Sequence, residues 1–315
     1  MSPSKRPRLG ENLTRIANYD IHDELGRGAY GCVYLVTNIK TGLKFALKQI
    51  TMKPADEGIP QSVMREISTL RALGNHDNIT RLYEAFTLQG NGGPNTLNVV
   101  FEKCDCDLAE FVCKQTEDLP VEQIRDIIKE IFKGLDFLHI NSYIHRDIKP
   151  QNILMKNGRV KIADFGLSRN YGLHTTFSPE VVTLWYRSPE LLLQCKYNTA
   201  VDIWSVGCIF AELYNREALF PAPSEAKLLR MIFEKIGTPD KERWPADAVI
   251  EHRSFDKRSP IPFSKLVARM SKEAVDLLQS TLEFNSERRA TAFECLSHPY
   301  FTGPPDDPVL PNTVN

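Results

Sequence analysis

The run His145-Arg146-Asp147-Ile148-Lys149-Pro150-Gln151-Asn152 sets a carboxylate, an ammonium and a carboxamide close together, and Asp164-Phe165-Gly166 follows after an apolar stretch. Such a set suits phosphoryl transfer. Asp147 can accept the proton of an attacking hydroxyl, and Lys149 can stabilise the group in transit. Asn152 and Asp164 offer oxygen ligands to Mg2+, a hard cation that bridges nucleotide phosphates.

Upstream, Gly26-Arg27-Gly28-Ala29-Tyr30-Gly31-Cys32-Val33 is a glycine-rich loop whose missing side chains let backbone N–H groups approach phosphate oxygens. A plain tight turn would read the same. Strand-type residues on both sides make the loop a hairpin tip, not the strand-loop-helix of a dinucleotide fold. In Phe45-Ala46-Leu47-Lys48 a lysine sits on the next strand, where it can reach phosphates under the loop. Glu66, on the helix after it, is a candidate partner that would hold the ammonium against its rotamer entropy.

The elements that must position these residues divide along the chain. Strand patterns cover residues 19–26, 32–39, 43–50, 82–88 and 97–102. One helix interrupts them: it begins at Pro60, spaces Val63, Ile67, Leu70 and Leu73 helically, and stops at Gly74. After Asp107 the pattern turns helical, with an apolar stripe from Ile124 to Leu138 and a helix over 201–214 that is apolar almost all round. The expected architecture is α+β and bilobal: a flexible basic tail over 1–18, a strand-rich N-lobe over 19–103 with five strands and one helix, a mainly helical C-lobe over 104–303, and a disordered Pro/Asp-rich tail over 304–315. The glycines within Gln89 to Asn95 predict a loop.

With 315 residues, 42% hydrophobic, the chain can bury a sizeable core. Acidic residues number 40 against 39 basic, so no global field suggests nucleic-acid binding. No apolar window is long enough to span a membrane, and the first eleven residues lack a secretory core. The seven scattered cysteines suit reduced thiols in cytosol or nucleus. The Lys5–Arg8 run reads as a solvated tail or as an import signal, consistent with a nuclear and cytoplasmic protein.

Taken together, the glycine loop, Lys48, Glu66, the 145–152 run and Asp164–Gly166 resemble the protein kinases from about Leu25 to Phe301. Lys149 resembles the Ser/Thr rather than the tyrosine kinases. The stretch Pro60-Gln61-Ser62-Val63-Met64-Arg65-Glu66 is similar to the cyclin-binding helix of the cyclin-dependent kinases, in the group activated by D-type cyclins. Residues 101–108, 181–187 and 201–212, and alanine at Ala29, agree with that group.

The resemblance implies a cyclin-activated Ser/Thr kinase that uses ATP and Mg2+, phosphorylates Ser/Thr-Pro sites and controls G1 progression through retinoblastoma-like substrates, with inhibitor proteins as further partners. It implies that Leu25, Val33, Ala46, Phe101 and Leu154 line the adenine pocket, that Glu102 and Cys104 bind adenine through their backbones, and that Asp107 completes the nucleotide site. Thr183 would bridge Asp147 and Lys149. Arg65, Arg146 and Arg169 would gather an activation-loop phosphate on Ser178, where the family has threonine, with Thr175 or Thr176 as neighbours, and Tyr30 would carry inhibitory phosphate. His145, Phe165, Leu70 and Leu82 fall where the family stacks a regulatory spine, or are plain core. Arg187 marks relatives that prefer proline after the target, and Glu190 with Arg289 would fix the large lobe. Glu66 would stay swung away from Lys48 until a cyclin pushes its helix inward. A MAP-kinase-like enzyme without need of cyclin, and a non-catalytic kinase-fold scaffold, are the alternatives.

Overall fold

A computed structural model describes residues 15–28, 31–52, 59–89, 94–170 and 184–303. The chain forms two compact units. One takes the chain up to Gly74 together with Thr80–Cys104; the other takes Asn75–Ile79 and everything from Asp105.

The first unit is built on strands β1 (Arg15–Ile16), β2 (Tyr19–Gly28), β3 (Gly31–Asn38) and β4 (Lys44–Thr51), helix α1 (Gln61–Leu73), and strands β5 (Leu82–Leu88) and β6 (Thr96–Glu102). They form one antiparallel sheet in the order β1-β2-β3-β4-β6-β5. That is six strands where the sequence suggests five. The added β1 lies in the stretch read as a tail, and it pairs because Ile16 buries its side chain in the cluster of Tyr19, Tyr34, Val36, Phe45, Leu47 and Val100. β-branched and aromatic residues alternating along β3 and β4 put this cluster on one face of the sheet.

Register places the other face. Val33 is opposite Lys48, Leu35 opposite Ala46, Ala46 opposite Phe101 and Lys48 opposite Val99. Strand partners share a face, so Val33, Ala46, Lys48 and Phe101 stand together. α1 is flanked by Pro60 and by Gly74, whose φ of 71° suits glycine. Its apolar stripe of Val63, Ile67, Leu70 and Leu73 is buried.

The second unit comprises β7 (Cys106–Asp107), α2 (Leu108–Cys113), α3 (Val121–Ile140), β8 (Tyr143–Ile144), β9 (Ile153–Lys156), β10 (Arg159–Ile162), β11 (Arg169–Asn170), α4 (Pro189–Leu192), α5 (Ala200–Asn215) and α6 (Glu225–Ile236). Four further helices close it: α7 (Phe263–Leu266), α8 (Lys272–Thr281), α9 (Ala292–Leu296) and α10 (Pro299–Thr302). Two small sheets, β10-β9-β7 and β11-β8, bracket the 145–152 run. The segment Asn75–Ile79, expected in the strand-rich lobe, belongs here instead. Its backbone is held by β10: Ile162 N–H donates to Asn78 O at 2.8 Å, and the Asn78 amide donates to Val160 O at 3.1 Å.

α5 is buried on nearly every side, which explains its largely apolar sequence. Near its start the guanidinium of Arg289, with a fully buried side chain, donates to Glu190 at 2.7 and 3.1 Å and to the carbonyls of Ala200, Glu283 and Phe284. This is the ion pair expected from the sequence. Its bidentate geometry and carbonyl partners offset part of the cost of burying both charges.

No helix among the described residues is long and apolar enough to cross a membrane. All seven cysteines are free thiols. Replacing Arg289 with alanine strands the Glu190 carboxylate, which is 4% exposed; denaturant unfolding of Arg289→Ala should show a loss of about 3–5 kcal/mol relative to wild type.

Candidate active site

The sharp course of the chain through 145–152 is set by one buried carboxylate. Asp202, in the first turn of α5, accepts the backbone N–H groups of His145 at 2.9 Å and Arg146 at 2.8 Å and contacts His139 Nε2 at 3.0 Å. Arg146 is thereby held at φ 70°, a left-handed conformation that costs a non-glycine residue on the order of 1 kcal/mol. Burial pushes the Asp202 carboxyl upward, but the hydrogen bond and charge of His139, aided by His145, outweigh it and hold the group below its ordinary value. Neither His139 nor Asp202 stands out in the sequence as a site residue. An acid in the first turn of a largely apolar helix was the available signal.

The loop so fixed presents Asp147, nearly buried. Its Oδ2 accepts from Lys149 Nζ at 2.7 Å and from Asn152 Nδ2 at 2.9 Å. Lys149, expected to meet the moving phosphoryl group, therefore also orients the base. The Asn152 amide nitrogen donates to the Asp147 carbonyl as well, at 2.7 Å. Its nitrogen engaged twice, Asn152 keeps its oxygen for a hard cation, as the donor set of a Mg2+ site requires.

Asp164 follows Ala163, whose N–H donates to Asn152 O at 2.9 Å, so the second oxygen donor is tied to the first through the backbone. Asp164 sits at φ 63° with its side chain exposed, accepting, among the described residues, from Gly166 N–H alone at 3.4 Å. Phe165 is fully buried and packs edge-on against His145, ring centroids 5.0 Å apart, while His145 Nε2 meets Ala163 O at 3.0 Å. Within the second unit, then, Asp147, Lys149, Asn152 and Asp164, the candidate base, ammonium and metal-type ligands, are held on one hydrogen-bonded stretch of chain.

The first unit carries its own part. Lys48 Nζ donates to Glu66 Oε2 at 2.7 Å, and Glu66 is 5% exposed. The helix is therefore in the paired position, not swung away as the resemblance implied for the chain alone. A carboxylate that deep in the unit gains most by meeting the strand ammonium. Gly28 pairs with Gly31, as a hairpin tip demands, though Ala29 and Tyr30 lie outside the described residues. A Cβ on Gly31 would stand 1.9 Å from Gln49 O, so only glycine permits β3 to lie against β4 there.

Val33, Ala46 and Phe101 share the face of Lys48, as the adenine-lining reading requires, and Leu25 is half exposed on β2. Cys32 is on the opposite face, packed against the cluster to which Tyr34 and Val36 belong, so its side chain points away from the face that carries Lys48. Gly26 pairs with Val33 and Arg27 with Cys32. Arg27 is exposed and meets Glu24 at 3.2 Å. Glu102 N–H is taken by Arg81 O at 3.0 Å, and Cys104 ends the unit half-buried. In the second unit Leu154 is half-buried on β9, and Asp107 caps α2, its carboxylate accepting from Glu110 N–H at 2.8 Å.

Of the three arginines expected around an activation-loop phosphate, Arg146 and Arg169 meet in the second unit. Arg146 donates to Leu167 O and, at 3.0 Å, to Tyr197 Oη. Burial, then the charge of Arg146, lowers the pKa of Arg169, and its buried Nε has no hydrogen-bond partner among the described residues. Two guanidiniums in that condition favour an anion. Arg65 is on α1 in the other unit, and Thr175, Thr176, Ser178 and Thr183 lie outside the described residues. Arg187 is paired with Glu225, and Trp185 Nε1 donates to Ala222 O at 3.0 Å.

A model of the protein kinase domain matches residues 19–301. The chain is 41% identical over 294 residues to cyclin-dependent kinase 4 of Xenopus laevis, covering 92% of this chain and 91% of that one. Against cyclin-dependent kinase 4 of Rattus norvegicus it is 42% identical over 297 residues, 92% and 98% of the two chains. The cyclin-dependent kinase 4 homolog of Caenorhabditis elegans is 44% identical over 280 residues, 88% of this chain and 69% of that one. The chain belongs to the protein kinase family, in its cyclin-dependent branch, and is a Ser/Thr protein kinase with the α+β, bilobal fold of that family.

Two measurements test the geometry. Gly31→Ala must separate β3 from β4 at the loop, which should lower stability by about 1–3 kcal/mol in denaturant unfolding and raise KM for ATP. For Asp202, a carboxyl lowered in the folded state stabilises fully above its unfolded value of about 3.9 and loses that contribution as pH falls through the lower folded value. Asp202→Asn should therefore be clearly less stable than wild type at pH 7, with the two curves converging below about pH 4.

Proposed function

We propose that the chain is activated by a cyclin of the D type and transfers the ATP γ-phosphate to Ser/Thr-Pro sites of retinoblastoma-like proteins, in nucleus and cytoplasm, to promote G1 progression under the control of inhibitor proteins. The observation that carries the catalytic part is the Asp147 carboxylate gripped by Lys149 and Asn152, with Asp164 tied to Asn152 through the neighbouring Ala163 N–H. A scaffold without turnover would have no use for that arrangement.

Asp147 takes the proton of the substrate hydroxyl as its oxygen attacks the γ-phosphorus, the P–O bond to the β-phosphate breaks, and ADP carries the displaced electron pair. Lys149, already 2.7 Å from the base, is placed to lend its charge to the moving group. Bound Mg2+, held by Asn152 and Asp164, would neutralise charge on the phosphate oxygens. Lys48, steadied by Glu66, faces the same way as Val33 and Ala46 and is suited to the nucleotide phosphates.

The sequence around Glu66 and the names of the relatives support the cyclin. Since Glu66 is already paired, the cyclin's part in this reading is to hold α1 in that position, so that the population competent for turnover rises. The mutual repulsion of Arg146 and Arg169 supports a second input, an activating phosphate.

The complex with a D-type cyclin should phosphorylate a retinoblastoma-like Ser-Pro peptide, read by radiolabelled phosphate transfer, and Asp147→Asn should cut the rate at least ~100-fold. Equal rates with and without cyclin would refute the activation model; a wild-type rate in Asp147→Asn would refute the catalytic assignment.

A further inference from the structure

Serine or threonine precedes proline at Ser2, Ser178, Ser188, Thr238 and Ser259. Ser2 and Ser178 lie outside the described residues. For the other three, burial and hydrogen bonding decide which hydroxyl a second protein can reach. Ser188 is fully buried at the start of α4. Thr238 is half-buried and its Oγ1 is engaged twice, donating to Asp256 O at 2.8 Å and accepting from Arg258 N–H at 3.1 Å. The Ser259 hydroxyl differs: it is exposed and has no hydrogen-bond partner among the described residues.

The chain around Ser259 has the form that a kinase takes up. Residues 256–262, Asp-Lys-Arg-Ser-Pro-Ile-Pro, are all exposed and contain no turn before α7 begins. Pro260 and Pro262 exclude the helical region for the residues before them, so Ser259 and Ile261 are extended. On one side Thr238 N–H donates to Arg258 O at 3.0 Å, and on the other Ile261 N–H donates to Lys235 O at 2.8 Å. Between these tethers Pro260 rests on Gly237, where a Cβ would stand 3.0 Å from the proline ring. The end of α6 thus carries Ser259 on a surface arm. Isolated loop bonds of this kind are among the first to open in a folded protein.

Two cations precede the serine. Lys257 meets Asp240 at 3.3 Å and Arg258 meets Asp256 at 3.7 Å, all four side chains being more than half exposed. Such pairs contribute little, and a phosphate with its greater charge and three acceptor oxygens competes well for the same ammonium. Residues two apart in an extended segment share a side, which puts Lys257 with the Ser259 hydroxyl.

We propose that Ser259 is a phosphoacceptor for proline-directed Ser/Thr kinases and that its phosphate draws Lys257 away from Asp240. The serine oxygen attacks the γ-phosphorus of ATP held by the modifying kinase, and its proton passes to that kinase's catalytic carboxylate. The P–O bond to the β-phosphate breaks and ADP leaves with the electron pair. Here the chain is the substrate, so the proposal stands apart from its own turnover.

The full chain carrying Asp147→Asn, so that the label comes from the added enzyme, is incubated with ATP and an active MAP kinase, and the modified sites are mapped by mass spectrometry. In the native protein Ser259 should be phosphorylated and Ser188 and Thr238 should not, and Ser259→Ala should lose that site alone. A free peptide of residues 254–264 is the comparison. The native chain should react within about tenfold of its rate, the hindrance of opening one backbone hydrogen bond. A peptide that reacts while the native chain does not, or a peptide that itself fails to react, overturns the proposal.

Lys257 is followed separately by acetylation with acetic anhydride, against the exposed Lys272. Phosphorylation should slow the labelling of Lys257 relative to Lys272, because an amine beside a phosphate stays protonated. An unchanged ratio overturns the pairing.

Discussion

The carboxylate of Asp202, almost wholly withdrawn from water, is the point on which the catalytic loop depends. An ionised group in that position is stable only if its lone pairs are filled, and the donors that fill them are the backbone N–H groups of His145 and Arg146 and the ring of His139. Satisfying the acid forces the chain to turn, with Arg146 in a left-handed conformation and Asp147 projected beyond the turn. The loop therefore takes its shape from a helix remote in sequence, and Asp147 is held by Lys149 and Asn152 on a frame already rigid.

The first unit solves a similar problem with a different device. Strand register puts Lys48 on the face with Val33, Ala46 and Phe101, and α1 brings Glu66 to meet it. The pair has little access to water, so its attraction is less screened than on the surface, and its geometry sets where the ammonium stands. Because α1 has no side-chain N-cap and holds its place through an apolar stripe and this pair, its position is open to influence by a protein partner.

Much of the site was legible from residue types and spacing. The order of glycine loop, strand lysine, helix glutamate, 145–152 run and Asp164–Gly166 carries the chemistry, because each step needs a particular functional group and few residues supply it. The approximate extents of α1, α3, α5 and the five longer strands were also legible, since period-2 and period-3.6 patterns with proline and glycine stops are local; α6 and α8 were not read. Strand β1 was not, because two residues have no pattern; their pairing follows from the burial of Ile16 among residues of other strands.

Short contiguous motifs, then, carry the proposed chemistry: a candidate base, a candidate metal-ligand pair, a lysine suited to phosphates and the elements that bear them. Tertiary structure alone decided that Glu66 is paired rather than swung away, that the Cys32 side chain points away from the face that carries Lys48, and that Asn75–Ile79 joins the second unit. These depend on free energies between residues distant in the chain, namely burial, desolvation and the filling of lone pairs, which no local pattern records.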